Sequence, residues 1–240
     1  TKYVTFYKTV ASRPPRQLAI KYHTCYTPLQ PPPSHCNCTT IEHTPTIQYL
    51  GITLDENLSF KAHIQSLSSK ARKLIFIMKK LRDCTPTKTL RTIYLGLCQS
   101  VLQYGIAIWG AAAKKRAQRA VIKVALRKPF RYPTDLIYKD FEVLRVRHLF
   151  ILCATLSVHK SLKSRPDYKE IINKRVLHIP LPDANNLLVR RCPLYSHIKV
   201  YNTINKSCDV KNLNRISCKK KITQWLSELT YEETEEILKH

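Results

Sequence analysis

Two groups of side chains in this sequence have the types and spacing to do chemistry. The first is sulfur and imidazole. His23, Cys25, His35, Cys36, Cys38 and His43 fall in one Pro-rich stretch, and thiolate and imidazole are the donors of a tetrahedral Zn²⁺. Their spacing fits no standard zinc knuckle, so the sequence reading is reduced thiols and no bound metal. Cys25, His35, Cys36 and Cys38 are the candidates that would hold one. The second group is cationic. Lys61, Lys70, Arg72, Lys73, Lys79, Lys80 and Arg82 lie along one helical pattern, and Lys114, Lys115, Arg116, Arg119 and Lys123 along another. Cations ranked along a helix can track a phosphate backbone without reading bases.

What is missing limits the chemistry. Asp55, Asp83, Asp135, Asp140, Asp167, Asp183 and Asp209 never stand side by side, whereas two-metal phosphoryl transfer needs carboxylates converging on ions roughly 4 Å apart. Only four glycines exist, with no phosphate-cradling loop, no HExxH and no recurring CxxC pair. No catalytic residue is assigned. The balance of 41 Lys and Arg against 16 Asp and Glu, a net +25, favours a polyanionic partner, because each phosphate neutralised releases condensed counterions. Five glutamates crowd into residues 228–240, so the basic charge belongs to the body of the chain. No apolar run approaches the roughly 20 residues of a membrane helix, and no membrane partner is expected.

The elements that would position these groups follow from periodicity. Residues 1–7 (TKYVTFY) and 16–26 (RQLAIKYHTCY) alternate like strands and are expected to pair. Residues 46–54 (TIQYLGITL) read as a further strand, with Gly51 marking a bulge or close backbone approach. From residue 58 the period changes. Phe60, Ile64, Leu67, Ala71, Leu74, Met78 and Leu81 recur in steps of four and three, one face of a long amphipathic helix. Thr85 is expected to cap the next helix, with Pro86 at its first position and Leu90, Ile93, Tyr94, Leu97, Val101, Tyr104 and Ile108 inward. Helical patterns follow over 111–126, after a capping Thr134, and over 146–162, 194–204, 214–229 and 231–240, with an irregular connection at 165–193. Cys98 and Cys153 read as small core residues. Tyr3, Tyr22, Tyr49, Trp109 and Trp225 could stack on bases, although Trp109, inside an apolar run, reads as core. The class is α+β, a small antiparallel β region followed by a mostly helical remainder.

At this point several segments resemble the reverse transcriptases of non-LTR (LINE-type, jockey-like) retrotransposons. TKYVTF (1–6) is similar to the palm strand that follows their catalytic Tyr-x-Asp-Asp turn. IQYLGITLDENLSFKAHI (47–64) resembles the primer-grip hairpin leading into the thumb. Residues 69–81 and 90–112 resemble thumb helices, the latter ending in the family's Tyr-Gly-x-x-x-Trp-Gly at Tyr104, Gly105, Trp109 and Gly110. Residues 117–152, 190–205 and 219–226 resemble the region downstream of the thumb. The resemblance implies three parts: 1–56, the end of the palm with the primer grip; 57–128, a helical thumb; and 129–240, a C-terminal helical region.

It further implies that Tyr49, Leu50, Gly51 and Ile52 position the primer's 3′ end, and that the helix over 60–82 lies along an RNA/DNA template–primer, with Lys2 among the other cations on nucleic acid. The polymerase aspartates, their Mg²⁺, the upstream palm and the fingers are then expected before Thr1, and the parent's work in the nucleus. The chain is read as a C-terminal fragment that binds template–primer without a cofactor of its own and does not extend it alone. The competing readings are a non-enzymatic nucleic-acid-binding protein derived from a mobile element, a zinc-binding nucleic-acid module, or a decayed reading frame.

Overall fold

The computed structural model describes residues 2–7, 20–23, 25, 37–112, 116–165, 178–185 and 187–238. They fall in two compact units, Thr1–His63 and Ile64–His240. The architecture is α+β, with all named strands in the first unit.

In the first unit, β1 (Lys2–Tyr3) pairs with β2 (Glu42–His43) in parallel. This corrects the expected pairing of 1–7 with 16–26, most of which lies outside the described residues. Its described part turns instead to the segment before β2. Lys21 forms an antiparallel bridge with Thr40, the Tyr22 amide donates to Thr39 O at 3.0 Å and the Ile41 amide to Ile20 O at 2.8 Å. The strand expected over 46–54 is a hairpin, β3 (Thr46–Tyr49) against β4 (Ile52–Asp55), with Tyr49 facing Ile52. Its two turn residues are both left-handed, Leu50 at φ 46° and Gly51 at φ 76°, the geometry of a type I′ turn. Gly51 therefore serves a turn and not a bulge. Behind the turn Ile52, Glu56 and Phe60 are buried. Glu56 accepts from the Tyr7 hydroxyl at 3.0 Å and lies 3.3 Å from His43 Nε2.

α1 (Lys61–Leu81) is launched by Asp55. Its carboxylate accepts from the Ser59 amide (3.0 Å), the Ser59 hydroxyl (2.7 Å) and the Phe60 amide (2.7 Å). Partial burial pushes that carboxyl up, the hydrogen bonds from Ser59 and Phe60 pull it down, and the balance lies below the usual carboxylate range. The inward face is the one read from the sequence. Leu67, Ala71 and Met78 are buried, and Ile64, Leu74 and Leu81 half-buried.

The second unit is built around α7 (Val146–Lys163), buried on nearly every side through Leu149, Phe150, Ile151, Leu152, Ala154 and Leu162. Before it come α2 (Thr87–Tyr94), a π-helical turn (Leu95–Gln99), α3 (Ser100–Gln103), α4 (Ile106–Trp109), a 3₁₀ turn (Gly110–Ala112), α5 (Arg116–Ala125) and α6 (Thr134–Asp140). After it come α8 (Leu187–Arg191), α9 (Pro193–Cys208), α10 (Arg215–Glu228) and α11 (Tyr231–Leu238).

Three local expectations are corrected here. Pro86, not Thr85, occupies the cap position of α2, its carbonyl accepting from the Leu90 amide at 3.0 Å. Pro133 stands at the cap of α6 without a side-chain bond, and the Thr134 hydroxyl instead accepts from Arg119 at 2.9 Å. The inward face after Tyr94 is displaced by one residue. Cys98, Leu102, Ile106 and Trp109 are buried, while Leu97, Val101, Tyr104 and Ile108 are exposed. The π turn is the cause as far as Leu102, since its i to i+5 bonding inserts one extra residue, and beyond it the break at Tyr104 and Gly105 sets a new phase for α4.

The Tyr-Gly-x-x-x-Trp-Gly segment is a packing device. Gly105, at φ 61°, ends α3 in the left-handed region. The Trp109 indole N–H then donates to the Tyr104 carbonyl at 2.9 Å while its rings are buried, and Gly110 lets Phe150 of α7 approach the backbone. Gln118 of α5 completes the start of α7. Its side-chain oxygen accepts from the Val146 amide at 2.9 Å, and its NH₂ donates to Tyr94 Oη and Leu144 O.

Three buried histidines bind this unit together. His148 Nε2 lies 2.9 Å from the Thr234 hydroxyl, while His159 donates to Leu213 O and His197 to Ala107 O, both at 2.9 Å. Desolvation lowers all three below the usual imidazole value. For His148, with Arg145's charge adding to it, the value is pushed down to about 3. The unfolded chain therefore takes up protons below pH ~6.5 while folded His148 stays neutral, and stability falls with pH between ~6.5 and ~3. His148 alone should cost about 2 kcal/mol at pH 5 relative to pH 8. Urea unfolding at the two pH values checks this, and His148→Gln should reduce the difference; an unchanged difference would refute the assignment.

Candidate nucleic-acid interface

α1 contains no acidic residue. Lys61, Lys70, Arg72, Lys73, Lys79 and Lys80 are exposed on it. Among the described residues, Lys61, Lys70, Arg72, Lys73 and Lys79 have no ion-pair or hydrogen-bond partner. Lys79 and Lys80 in the last turn also sit where the helix dipole favours cations. Between these cations stands Phe76, 66% exposed. Neighbours on a helix surface are three and four positions apart, so Arg72, Lys73, Lys79 and Lys80 all flank its ring. Lys80 Nζ lies 5.7 Å from the ring centroid.

Phe76 is not among the tyrosines and tryptophans that the sequence offers for stacking. The available signal was a large aromatic off the buried four-three stripe, three or four residues from four cations. Of the aromatics that were named, Tyr22 and Tyr49 are exposed, Tyr3 and Trp225 are half-buried and Trp109 is core.

Other cations are committed to the fold. Arg82 donates to Val124 O at 3.2 Å, tying the end of α1 to α5. Lys123 is buried, donating to Phe130 O and standing 5.5 Å from that ring's centroid. Desolvation, and then the charge of Arg119, lowers its ammonium below the usual lysine range. Arg119 is held by Thr134, and Lys2 pairs with Glu42 at 3.3 Å. Arg116 lies in α5, and Lys114 and Lys115 fall outside the described residues.

In the first unit the hairpin presents Tyr49 and Leu50 to solvent, 63% and 71% exposed, on a turn made by Gly51, while Ile52 is anchored inside. The tip thus presents an apolar and aromatic surface on a tight turn.

Four of the aspartates are engaged by the fold itself. Asp55 is held by Ser59 and Phe60, Asp83 by Arg127 at 2.6 Å, Asp135 by Arg145 at 2.6 Å and Asp140 by Tyr132 at 2.7 Å. Burial pushes the Cys98 thiol up to about 12, far from a nucleophile's range. The metal-capable grouping among the described residues is His23, Cys25 and Cys38, which contains no carboxylate. The hard oxygen donors that Mg²⁺ requires are not assembled there, and no step through Mg²⁺ is assigned to these residues. His43, a possible member of that group by sequence, is drawn away to Glu56 and to the Thr5 hydroxyl at 3.4 Å.

Over 94 residues the chain is 34% identical to the probable RNA-directed DNA polymerase from transposon BS of Drosophila melanogaster, a stretch covering 38% of this chain and 10% of that protein. The chain thus spans about a tenth of the length of the curated relative it matches. No family model matches, and no solved structure matches. At this coarse level the similarity supports a segment related to the reverse transcriptases of retrotransposons.

Proposed function

We propose that the chain is the thumb-side part of a retrotransposon reverse transcriptase, and that it holds the RNA/DNA template–primer while upstream palm and fingers carry the catalytic aspartates and their Mg²⁺. The observation that supports this most is α1, a helix with no acidic residue whose exposed cations surround an exposed phenylalanine. A duplex near A-form offers phosphates and a wide, shallow minor groove lined with sugars. The lysines and arginines answer the phosphates, and the Phe76 ring answers the apolar face of a sugar or an unpaired base. The hairpin tip at Tyr49 and Leu50 is assigned to the primer's 3′ end, with Gly51 fixing its turn and Ile52 its anchor.

The full chain should bind a fluorescent RNA/DNA hybrid with an affinity that falls steeply with salt, and should add no nucleotide to it. Phe76→Ala should weaken binding by roughly 5- to 160-fold, the range of one lost stacking contact, while the salt slope stays the same because no charge has been removed. Wild-type affinity for Phe76→Ala would exclude the ring from the interface, and a salt-independent wild type would exclude the proposal.

A further inference from the structure

We propose that His23, Cys25 and Cys38 form a Zn²⁺ site. The short pairing in the first unit brings them together. With Lys21 opposite Thr40 and the Tyr22 amide bonded to Thr39 O, the antiparallel register carries His23 to the position across from Cys38. Cys25 lies at a bend two residues beyond His23. The Cys38 thiol accordingly donates to Cys25 Sγ at 3.3 Å, and Cys25 Sγ lies 3.7 Å from His23 Nδ1. All three donor atoms lie within 4.8 Å of one another.

A tetrahedral ion with Zn–S bonds of ~2.3 Å and Zn–N bonds of ~2.0 Å has edges of roughly 3.8 Å between sulfurs and roughly 3.5 Å between sulfur and nitrogen. The Cys38–Cys25 and Cys25–His23 separations of 3.3 and 3.7 Å differ from those edges by half an ångström or less, and the third pair lies within 4.8 Å. Two thiolates and one imidazole are a soft donor set that suits Zn²⁺, and they leave a fourth position for water or a further ligand. Cys25 is exposed, which gives the ion a way in.

The chemical consequence is a cross-link. Binding displaces the two thiol protons to solvent, and the ion then ties residues 23–25 to residue 38 across the intervening Pro-rich stretch. That constraint removes loop-closure entropy from the unfolded chain, so metal binding and folding of the first unit are linked.

The test uses the full chain, purified under reducing conditions from zinc-supplemented medium. Its metal content should be about one equivalent of zinc, the stoichiometry of a single site. Replacement by Co²⁺ should give a thiolate-to-metal charge-transfer band. Cys38→Ser should lose both the zinc and the band, and Cys84→Ser, at an exposed thiol in a separate loop, should keep them. Alkylation of the wild type covers the case in which Cys38→Ser fails to fold. Zinc should slow modification of Cys25 and Cys38 at least tenfold relative to chelated protein and leave Cys84 unchanged. Wild type with less than a tenth of an equivalent and no cobalt band, zinc kept by a folded Cys38→Ser, equal alkylation rates with and without zinc, or a Cys25–Cys38 disulfide in place of the ion would each overturn the site.

Discussion

Alanine at Lys70, Arg72, Lys73, Lys79 and Lys80 together should flatten the plot of log affinity against log salt for a nucleic-acid duplex by roughly 4.5, if each cation neutralises one phosphate at about 0.9 per contact. Between 50 and 200 mM salt, that slope corresponds to a loss of roughly 500-fold in wild type which the variant no longer suffers. The choice of five comes from the structure. Arg82, Arg119 and Lys123 are committed to Val124, Thr134 and Phe130, and changing them would confound binding with stability. The five on α1 are exposed, so their loss should leave the unfolding midpoint nearly unchanged. A control with the same change of charge, alanine at the exposed Lys88, Lys139, Lys206, Lys219 and Lys220, separates a localised face from diffuse attraction by a chain of net charge +25. If the two variants flatten the slope equally, α1 has no special part in binding. The change should also be similar for unrelated base sequences, since phosphate contacts carry no sequence information.

The second large effect is expected at a glycine. Gly110→Ala should destabilise the protein by about 1–3 kcal/mol, the cost of forcing an extra carbon into a packed core. A Cβ at that position would lie 2.7 Å from Phe150 Cδ2, 2.8 Å from Phe150 Cβ and 2.8 Å from Ile106 Cγ1. The first could swing aside. Phe150 Cβ is fixed to the backbone of the buried helix α7, so relief requires a helix to move. Gly96→Ala supplies the opposite case. Nothing lies within 4 Å of its added carbon, and removing a helical glycine should stabilise by about 0.5–1 kcal/mol. Denaturant unfolding of the two variants decides the matter: effects of the same sign would contradict the packing described for the Tyr104–Gly110 segment.

Much of this architecture was legible in the sequence. The stripe from Phe60 to Leu81 identified α1 because an uninterrupted helix keeps its period. The same rule misassigned the face holding Leu97 and Val101, because one added residue in the π turn leaves composition unchanged and alters only phase. Thr85 and Thr134 have the chemistry of caps, yet a cap also requires backbone geometry that residue type does not encode. The pairing of β1 with Glu42–His43 joins segments far apart in sequence, which local alternation cannot specify. The cations divide by reach. A lysine or arginine stem is long enough for Lys123 to turn inward to Phe130 while Lys79 stays in water, and their neighbours in sequence look alike. For sulfur and imidazole, the sequence showed six candidates in one stretch; His35 and Cys36 lie outside the described residues, and of the other four His23, Cys25 and Cys38 come together.

The π turn at Leu95–Gln99 also bears on how relatives should be compared. If a homologue lacks the extra residue there, a correct superposition needs a one-residue gap in the middle of a helix, where alignment methods place gaps least readily. An ungapped alignment through that region would match the buried Cys98 and Leu102 with a relative's outward side chains. Conservation scored on such an alignment would credit the wrong face, and real identity downstream of the turn would be lost from the count.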